Sequence, residues 1–195
     1  RGQSGGIFVA AELIPRALLE SRQEIRFGEI AGVLEARRLL EPRVAQLAAV
    51  HASEDDFALM GQTIERQREL AAADDFLSHE DLFLQLDIYF HFGLARATRS
   101  STILCLMRTL LRQLEIARDM AMHAELVPGW TIDIHERTLT AVRAADFPLI
   151  DMVMDEHLAQ LEQIWERETG RGLVRQLPDF LQPVADRSPA LRLSG

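Results

Sequence analysis

Apolar residues recur every three or four positions along most of this chain, which is the spacing of one face of an α-helix. Six such segments are predicted, at about 28–51, 53–73, 75–98, 101–125, 131–145 and 146–170. The third segment is apolar on nearly every side, so we expect it to pack at the centre of the others. Because proline and glycine are sparse in these segments, the pattern predicts an all-α antiparallel bundle of about six helices.

The two ends of the chain lack this pattern. Residues 1–10 combine a glycine-rich turn with a predicted short strand at 7–9, and residues 11–27, with Pro15 and mixed polarity, are predicted to be a linker. Residues 171–195 contain three prolines and are expected to be an extended or disordered tail. Residues 1–26 are slightly basic whereas the rest is acidic, and the chain opens on Arg1. We therefore expect a basic module upstream of this sequence.

Composition excludes several classes of protein. A net charge of −9 disfavours direct contact between most of the chain and nucleic-acid phosphates. The single cysteine excludes a disulfide framework and a cysteine-based zinc site. No apolar run approaches the roughly 18 residues needed to cross a bilayer, and there is no signal-peptide pattern. A cytoplasmic protein without membrane contact is therefore the expectation.

Four polar residues occupy positions where the helical pattern calls for apolar ones. Asp87 and His91 are four residues apart on the third helix, which places them on one face. His135 and His157 interrupt the apolar stripes of the fifth and sixth helices. An ionised carboxylate in such a position is costly unless it is paired, hydrogen-bonded or bound to a metal.

The spacing of the two later histidines allows them to meet. On one continuous helix they would be about 33 Å apart, but Asp146 and Pro148 predict a break between them. Asp146 lies eleven residues after His135 and eleven before His157, so an antiparallel hairpin there would bring both to the same height. Three imidazoles and one carboxylate suit a divalent ion such as zinc, nickel or manganese.

Arg37 is a second anomaly, because it stands in the apolar stripe of the first helix. It can pair with Glu41 four residues later, or extend to solvent. Alternatively it faces an internal cavity and binds an anion, since a guanidinium matches the two oxygens of a carboxylate.

These residues resemble the effector domain, known as the FCD domain, of GntR-type bacterial transcription regulators of the FadR subgroup. The resemblance covers about 28–168 and is carried by Leu34–Pro42, Leu86–His91, His135 with Ala141 and Asp146, and Met154 with His157. The opening Arg1–Val9 is similar to the wing tip of the family's winged helix-turn-helix module.

The resemblance implies a DNA-binding homodimer whose helical domain, at about 28–170, senses a small carboxylate effector at a buried divalent metal, with zinc as the first candidate. It assigns the metal ligands to Asp87, His91, His135 and His157, and the effector-binding arginine to Arg37. DNA would be bound through an N-terminal module outside this sequence. The expected function is therefore regulation of transcription, not catalysis.

Two other interpretations stay open from the residues alone. The same four ligands could serve a metalloenzyme with an activated water, although no His-Glu-x-x-His motif is present. The histidines could also be structural, or form a pH-responsive pocket without a metal.

Overall fold

The computed structural model describes the backbone of residues 16–121 and 128–173, and the side chains of 29–114 and 128–173. The helices are α1 (Arg16–His51), α2 (Glu54–Ala71), α3 (Glu80–Ala97), α4 (Ser101–Ala121), α5 (Pro128–Arg143) and α6 (Phe147–Thr169), with a 3-10 turn at Phe76–His79. No strand occurs in these residues, which confirms the all-α prediction with six helices. The predicted strand at 7–9 and most of the predicted tail lie outside the described residues.

The first helix begins earlier than predicted. Residues 16–27, which we assigned to a linker, belong to α1, and the helix continues through Pro42. The segment 16–26 consists mostly of Arg, Leu, Glu, Gln and Ala, which are strong helix formers. Its mixed polarity hid this propensity, because it forms no apolar stripe.

The helix ends follow from local side-chain chemistry. The hydroxyl of Ser53 and its backbone N–H both contact Asp56, which forms the capping box at the start of α2. Asp146 accepts a hydrogen bond from the backbone N–H of Leu149 at 3.1 Å and caps α6, as the sequence predicted. Gly170 ends α6 with φ +67°, a left-handed conformation that glycine adopts without strain.

The fifth helix also differs from the prediction at its start. The sequence Val127-Pro128-Gly129 was expected to precede the helix, but α5 begins at Pro128 and includes Gly129. Proline is favoured in the first turn of a helix, where its missing N–H has no intrahelical partner to lose.

Helix α3 packs against α1, α2 and α4, and α5 and α6 complete the bundle by packing on each other and on α1 and α2. Three-residue turns join α3 to α4 and α5 to α6, so each of these contacting pairs is antiparallel. None of the helices in the described ranges combines the length and apolar character needed to span a bilayer.

The core of the bundle contains an unusual number of polar side chains beside its apolar ones. Phe83, Phe90, Leu34 and Met154 are among the fully buried apolar residues. The buried polar and charged residues are Arg37, Glu41, Asp56, Gln67, Asp87, His91, Thr98, Thr131, His135, Thr138, His157 and Glu162. Seven of these meet where α1, α2, α3, α5 and α6 converge, and they form the site described next.

Candidate metal centre

The four polar residues singled out from the sequence lie together inside the bundle. Asp87 and His91 come from α3, His135 from α5 and His157 from α6, and all four are buried. One oxygen or ring nitrogen from each lies within 4.8 Å of the corresponding atoms of the others. A cluster of this composition and size could hold a metal ion.

The carboxylate of Asp87 stands between two imidazoles. Its Oδ1 is 3.3 Å from Nε2 of His135, and its Oδ2 is 3.9 Å from Nε2 of His91. The ring of His157 closes the cluster, with its centroid 4.8 Å from that of His91 and 4.9 Å from that of His135. Three imidazoles and one carboxylate therefore surround a single point.

The α5–α6 hairpin brings the last two histidines together. The turn that Asp146 caps reverses the chain midway between His135 and His157, which returns them to the same height. Phe90 of α3 stacks on the ring of His135 with centroids 4.1 Å apart, and Trp130 contacts His157 edge-on. These aromatic contacts fix the two imidazole rings on their outer sides.

Side chains from α1 and α2 contact the centre from outside. Glu41 Oε2 lies 2.6 Å from Nδ1 of His91, and Gln67 Oε1 lies 2.9 Å from Nδ1 of His135. Nδ1 of His157 is buried without a hydrogen-bond partner among the described residues, and the His91–Glu41 contact, although short, also lacks hydrogen-bond geometry. A buried ring nitrogen without a partner is costly, and a metal bond is one way to satisfy it.

Arg37 combines features of both interpretations offered from the sequence. It pairs with Glu41, donating from Nε to Oε1 at 2.5 Å, yet the pair is buried at the edge of the centre instead of at the surface. Its Nη2 lies 3.4 Å from Nε2 of His91. The neighbouring Arg38 points elsewhere, forming a two-pronged pair with Glu162 on α6 at 2.7 Å.

The protonation states favoured by the structure suit metal binding. Burial holds the pKa of His157 well below its usual value, and any positive charge on the neighbouring His91 or His135 would lower it further, so the ring is neutral. Burial raises the pKa of Glu41, but the charges and hydrogen bonds of Arg37 and His91 outweigh that effect and hold it below its usual range. A neutral imidazole is the form that binds metal.

The donor set fits a divalent ion of intermediate softness. Imidazole suits zinc and nickel, and a carboxylate adds the negative charge that offsets part of the ion's own. The unpartnered Nδ1 of His157 and the short spacing between donor atoms are both explained by an ion at this point.

The sequence has two more Asp-x-x-x-His pairs, of which the structure describes one, and that one does not join this centre. Asp75 and His79 pair with each other at 3.4 Å, and both side chains are accessible to solvent. The side chains of Asp119 and His123 lie outside the described residues.

Sequence reasoning missed Glu41 and Gln67 as parts of the site. The three- and four-residue spacing that contains Arg37 favours Leu40 as the next buried position, but Leu40 is 38% exposed whereas Glu41 is 2% exposed. The buried face of α1 is wider than one stripe, because it includes Leu34 and Glu41 as well as Arg37. The seven-residue interval from Leu34 to Glu41, about two helical turns, was the available signal for Glu41.

The described residues thus form an all-α bundle with a buried donor set that could hold a metal ion and a buried arginine beside it. The chain belongs to the FCD domain family, whose model matches residues 32–160. The FCD domain expected from the sequence is thereby confirmed.

Two curated relatives are named as regulators. The chain is 29% identical over 138 residues to the Uxu operon transcriptional regulator of Escherichia coli (strain K12), which covers 67% of this chain and 51% of that protein. It is 25% identical over 138 residues to the Uxu operon regulator of Haemophilus influenzae, covering 67% and 48%. The chain thus spans about half the length of the curated relatives it matches.

A solved structure shares the fold. The Streptococcus agalactiae GntR structure superposes with a TM-score of 0.56 at 18% identity, covering 83% of this chain and 72% of that one. At 18% identity, this similarity supports a shared fold and nothing about function.

Proposed function

We propose that this chain is the effector-binding domain of a transcriptional regulator, and that it senses a small organic acid at a divalent cation. The observation that carries the proposal is the convergence of Asp87, His91, His135 and His157 on one buried point. Zinc is the first candidate for the ion, with nickel and manganese as alternatives. The names of the relatives support a regulator and give no reason to propose an enzyme.

In this proposal, one set of residues binds the ion and another residue binds the acid. Asp87 and the three histidines hold the ion, which when bound offers Lewis-acid positions for oxygen ligands. Arg37 stands beside the centre, where its guanidinium can donate to an oxygen of the acid. The surrounding apolar core excludes water, which strengthens both contacts.

Helix α1 is the element best placed to transmit binding. It carries Arg37 and Glu41, which contact the centre, and Arg38, which ties it to Glu162 of α6. We propose that binding of the acid favours one arrangement of α1 and so changes the spacing of two DNA-binding modules in a cytoplasmic homodimer. Acid and DNA affinities must then be linked reciprocally, and the shift cannot exceed the acid's preference between the two arrangements.

A thermal-shift screen tests the sensing role. Wild-type protein is treated with chelator or with zinc, and then with a panel of small mono- and dicarboxylic acids. We expect zinc to raise Tm, and at least one acid to raise it further only when zinc is present. In Arg37→Gln the zinc shift should persist and the acid shift should disappear.

Arg43→Gln provides the matched control, because Arg43 lies on the same helix but is exposed and pairs with Asp151. It should respond to zinc and acids as the wild type does. Acid shifts that are equal with and without zinc, or that survive in Arg37→Gln, would contradict the proposal.

A further inference from the structure

Two side chains outside the candidate ligand set contact histidines of the centre. Glu41 on α1 contacts His91, and Gln67 on α2 contacts His135, each through the Nδ1 atom of the ring. Both side chains are buried, with 2% and 0% exposure, so water does not compete for these contacts. Each contact decides which ring nitrogen of its histidine carries a proton.

The orientation of Gln67 follows from its other neighbour. Its amide Nε2 donates to the backbone carbonyl of Phe83 at 3.4 Å, and a carbonyl can only accept. Its Oε1 therefore faces Nδ1 of His135 as an acceptor, so that Nδ1 must carry the proton. The remaining nitrogen, Nε2, faces Asp87 at 3.3 Å.

Glu41 favours the same tautomer of His91, with the proton on Nδ1, because of its negative charge. Oε2 of the ionised Glu41 lies 2.6 Å from Nδ1 of His91, and two lone pairs at that distance would repel each other, so Nδ1 carries the proton even though the pair lacks hydrogen-bond geometry. On the other side of the ring, Nε2 lies 3.4 Å from Nη2 of Arg37, and a guanidinium has donors only. Both neighbours therefore leave the lone pair on Nε2, which is the atom on the side of Asp87.

We propose that Glu41 and Gln67 are positioning residues that hold His91 and His135 as Nδ1–H tautomers, so that both rings present Nε2 to the cation. The inference rests on the proposed function for its cation, but the tautomers themselves are a property of the protein without it. Outer partners of this kind fix the orientation and tautomer of ligating histidines.

The chemistry of Glu41 explains why an amide would not replace it. The carboxylate of Glu41 accepts a hydrogen bond from Arg37 through Oε1, and its Oε2 faces Nδ1 of His91 at 2.6 Å. A glutamine at this position has one acceptor oxygen, which Arg37 would engage, and its NH₂ group would then face Nδ1 of His91. An N–H facing Nδ1 favours the opposite tautomer, with the proton on Nε2.

The first experiment reads the tautomers directly in metal-free protein. Histidine ring ¹⁵N–¹H correlation spectra at about pH 8, where an ordinary histidine is neutral, distinguish the Nδ1–H form from the Nε2–H form. Wild-type protein should show His91 and His135 as Nδ1–H. Gln67→Met, which removes the acceptor at similar size, should release His135 toward the Nε2–H form, whereas Gln67→Glu should retain Nδ1–H.

The second experiment measures zinc affinity by competition with a chromophoric chelator. Glu41→Gln should weaken zinc binding about 10- to 100-fold, the range seen when such outer partners are removed. Asp56→Asn is the matched control, because Asp56 is also 2% exposed and paired with arginines, Arg96 and Arg99. It makes the same chemical change at the start of α2 and should leave zinc affinity unchanged.

Several outcomes would overturn the inference. They are a wild-type His91 or His135 in the Nε2–H form, a Glu41→Gln variant that binds zinc as tightly as the wild type, or an equal loss in Asp56→Asn. A Gln67→Glu variant that behaves like Gln67→Met would also count against it. If the wild type binds no zinc but shows both Nδ1–H tautomers, the proposed metal site fails while the positioning role stands.

Discussion

At the scale of single residues, burial changes the protonation of His157, whose pKa lies well below its usual value. Desolvation and the neighbouring His91, His135 and Arg37 all disfavour its protonated form, and Asp87 only partly opposes them. The folded protein therefore holds His157 neutral, whereas the unfolded chain protonates it near its ordinary pKa of about 6.5.

This difference predicts a dependence of stability on pH. Below about pH 6.5 the unfolded state binds a proton that the folded state does not, so the free energy of unfolding falls as the pH falls, by up to about 1.4 kcal/mol per unit for one such group. Urea unfolding of metal-free protein between pH 8 and pH 5 measures it. His157→Gln should lose this contribution, and its stability should therefore fall less steeply than that of the wild type.

The exposed His79, which pairs with Asp75, provides the control for this measurement. His79→Gln should follow the wild-type profile. Parallel profiles for wild type and His157→Gln would contradict a neutral, buried His157.

The sequence allowed prediction of those site residues that break a regular apolar stripe. Asp87, His91, His135 and His157 stood out because each takes an apolar position in a helix with clear periodicity. Glu41 did not, since an acid four residues from an arginine is ordinarily a surface partner. Its burial depends on the rotation of α1 against α3, and that rotation is a property of the packed bundle.

At the scale of secondary structure, the α5–α6 hairpin is the element that assembles the centre. Its turn is short, and Ala145 in it has a positive φ of 51°, an uncommon conformation for a residue with a Cβ. Asp146 compensates by capping the first turn of α6. The hairpin was predictable because an aspartate followed closely by a proline is a strong helix-start signal.

Removal of this cap should destabilise the protein. Asp146→Ala should lower the free energy of unfolding by about 1 kcal/mol, because the N–H of Leu149 loses its acceptor. Asp146→Asn, which keeps an acceptor oxygen, should lose little. Chemical denaturation of both variants measures the difference, and an alanine variant as stable as the wild type would show that the cap contributes nothing.

Helix boundaries were less predictable than the helices themselves. The early start of α1 arose from residues with high helix propensity but no apolar stripe, and the 3-10 turn before α3 replaced what we predicted as helix from about residue 75. In both places the choice depends on local backbone energetics of a few tenths of a kcal/mol per residue, which periodicity does not report.

At the scale of the whole molecule, most of the described helices contribute buried polar or charged side chains to the same site. Five of the six helices contribute to the centre: three carry the candidate ligands, and α1 and α2 carry the residues behind them. Such an arrangement connects the occupancy of the site to the packing of most of the domain. Under the proposed function, a small ligand bound at this point would affect several helices at once, since a shift in any one helix alters the contacts of the others.

The whole-molecule account depends on one cation bound by these four residues. Crystals of zinc-loaded protein, measured on both sides of the zinc absorption edge, test it directly. We predict a single anomalous peak in the bundle interior, about 2.0–2.2 Å from one oxygen of Asp87 and one nitrogen each of His91, His135 and His157. An interior without a peak, or zinc bound only by surface carboxylates, would contradict the account.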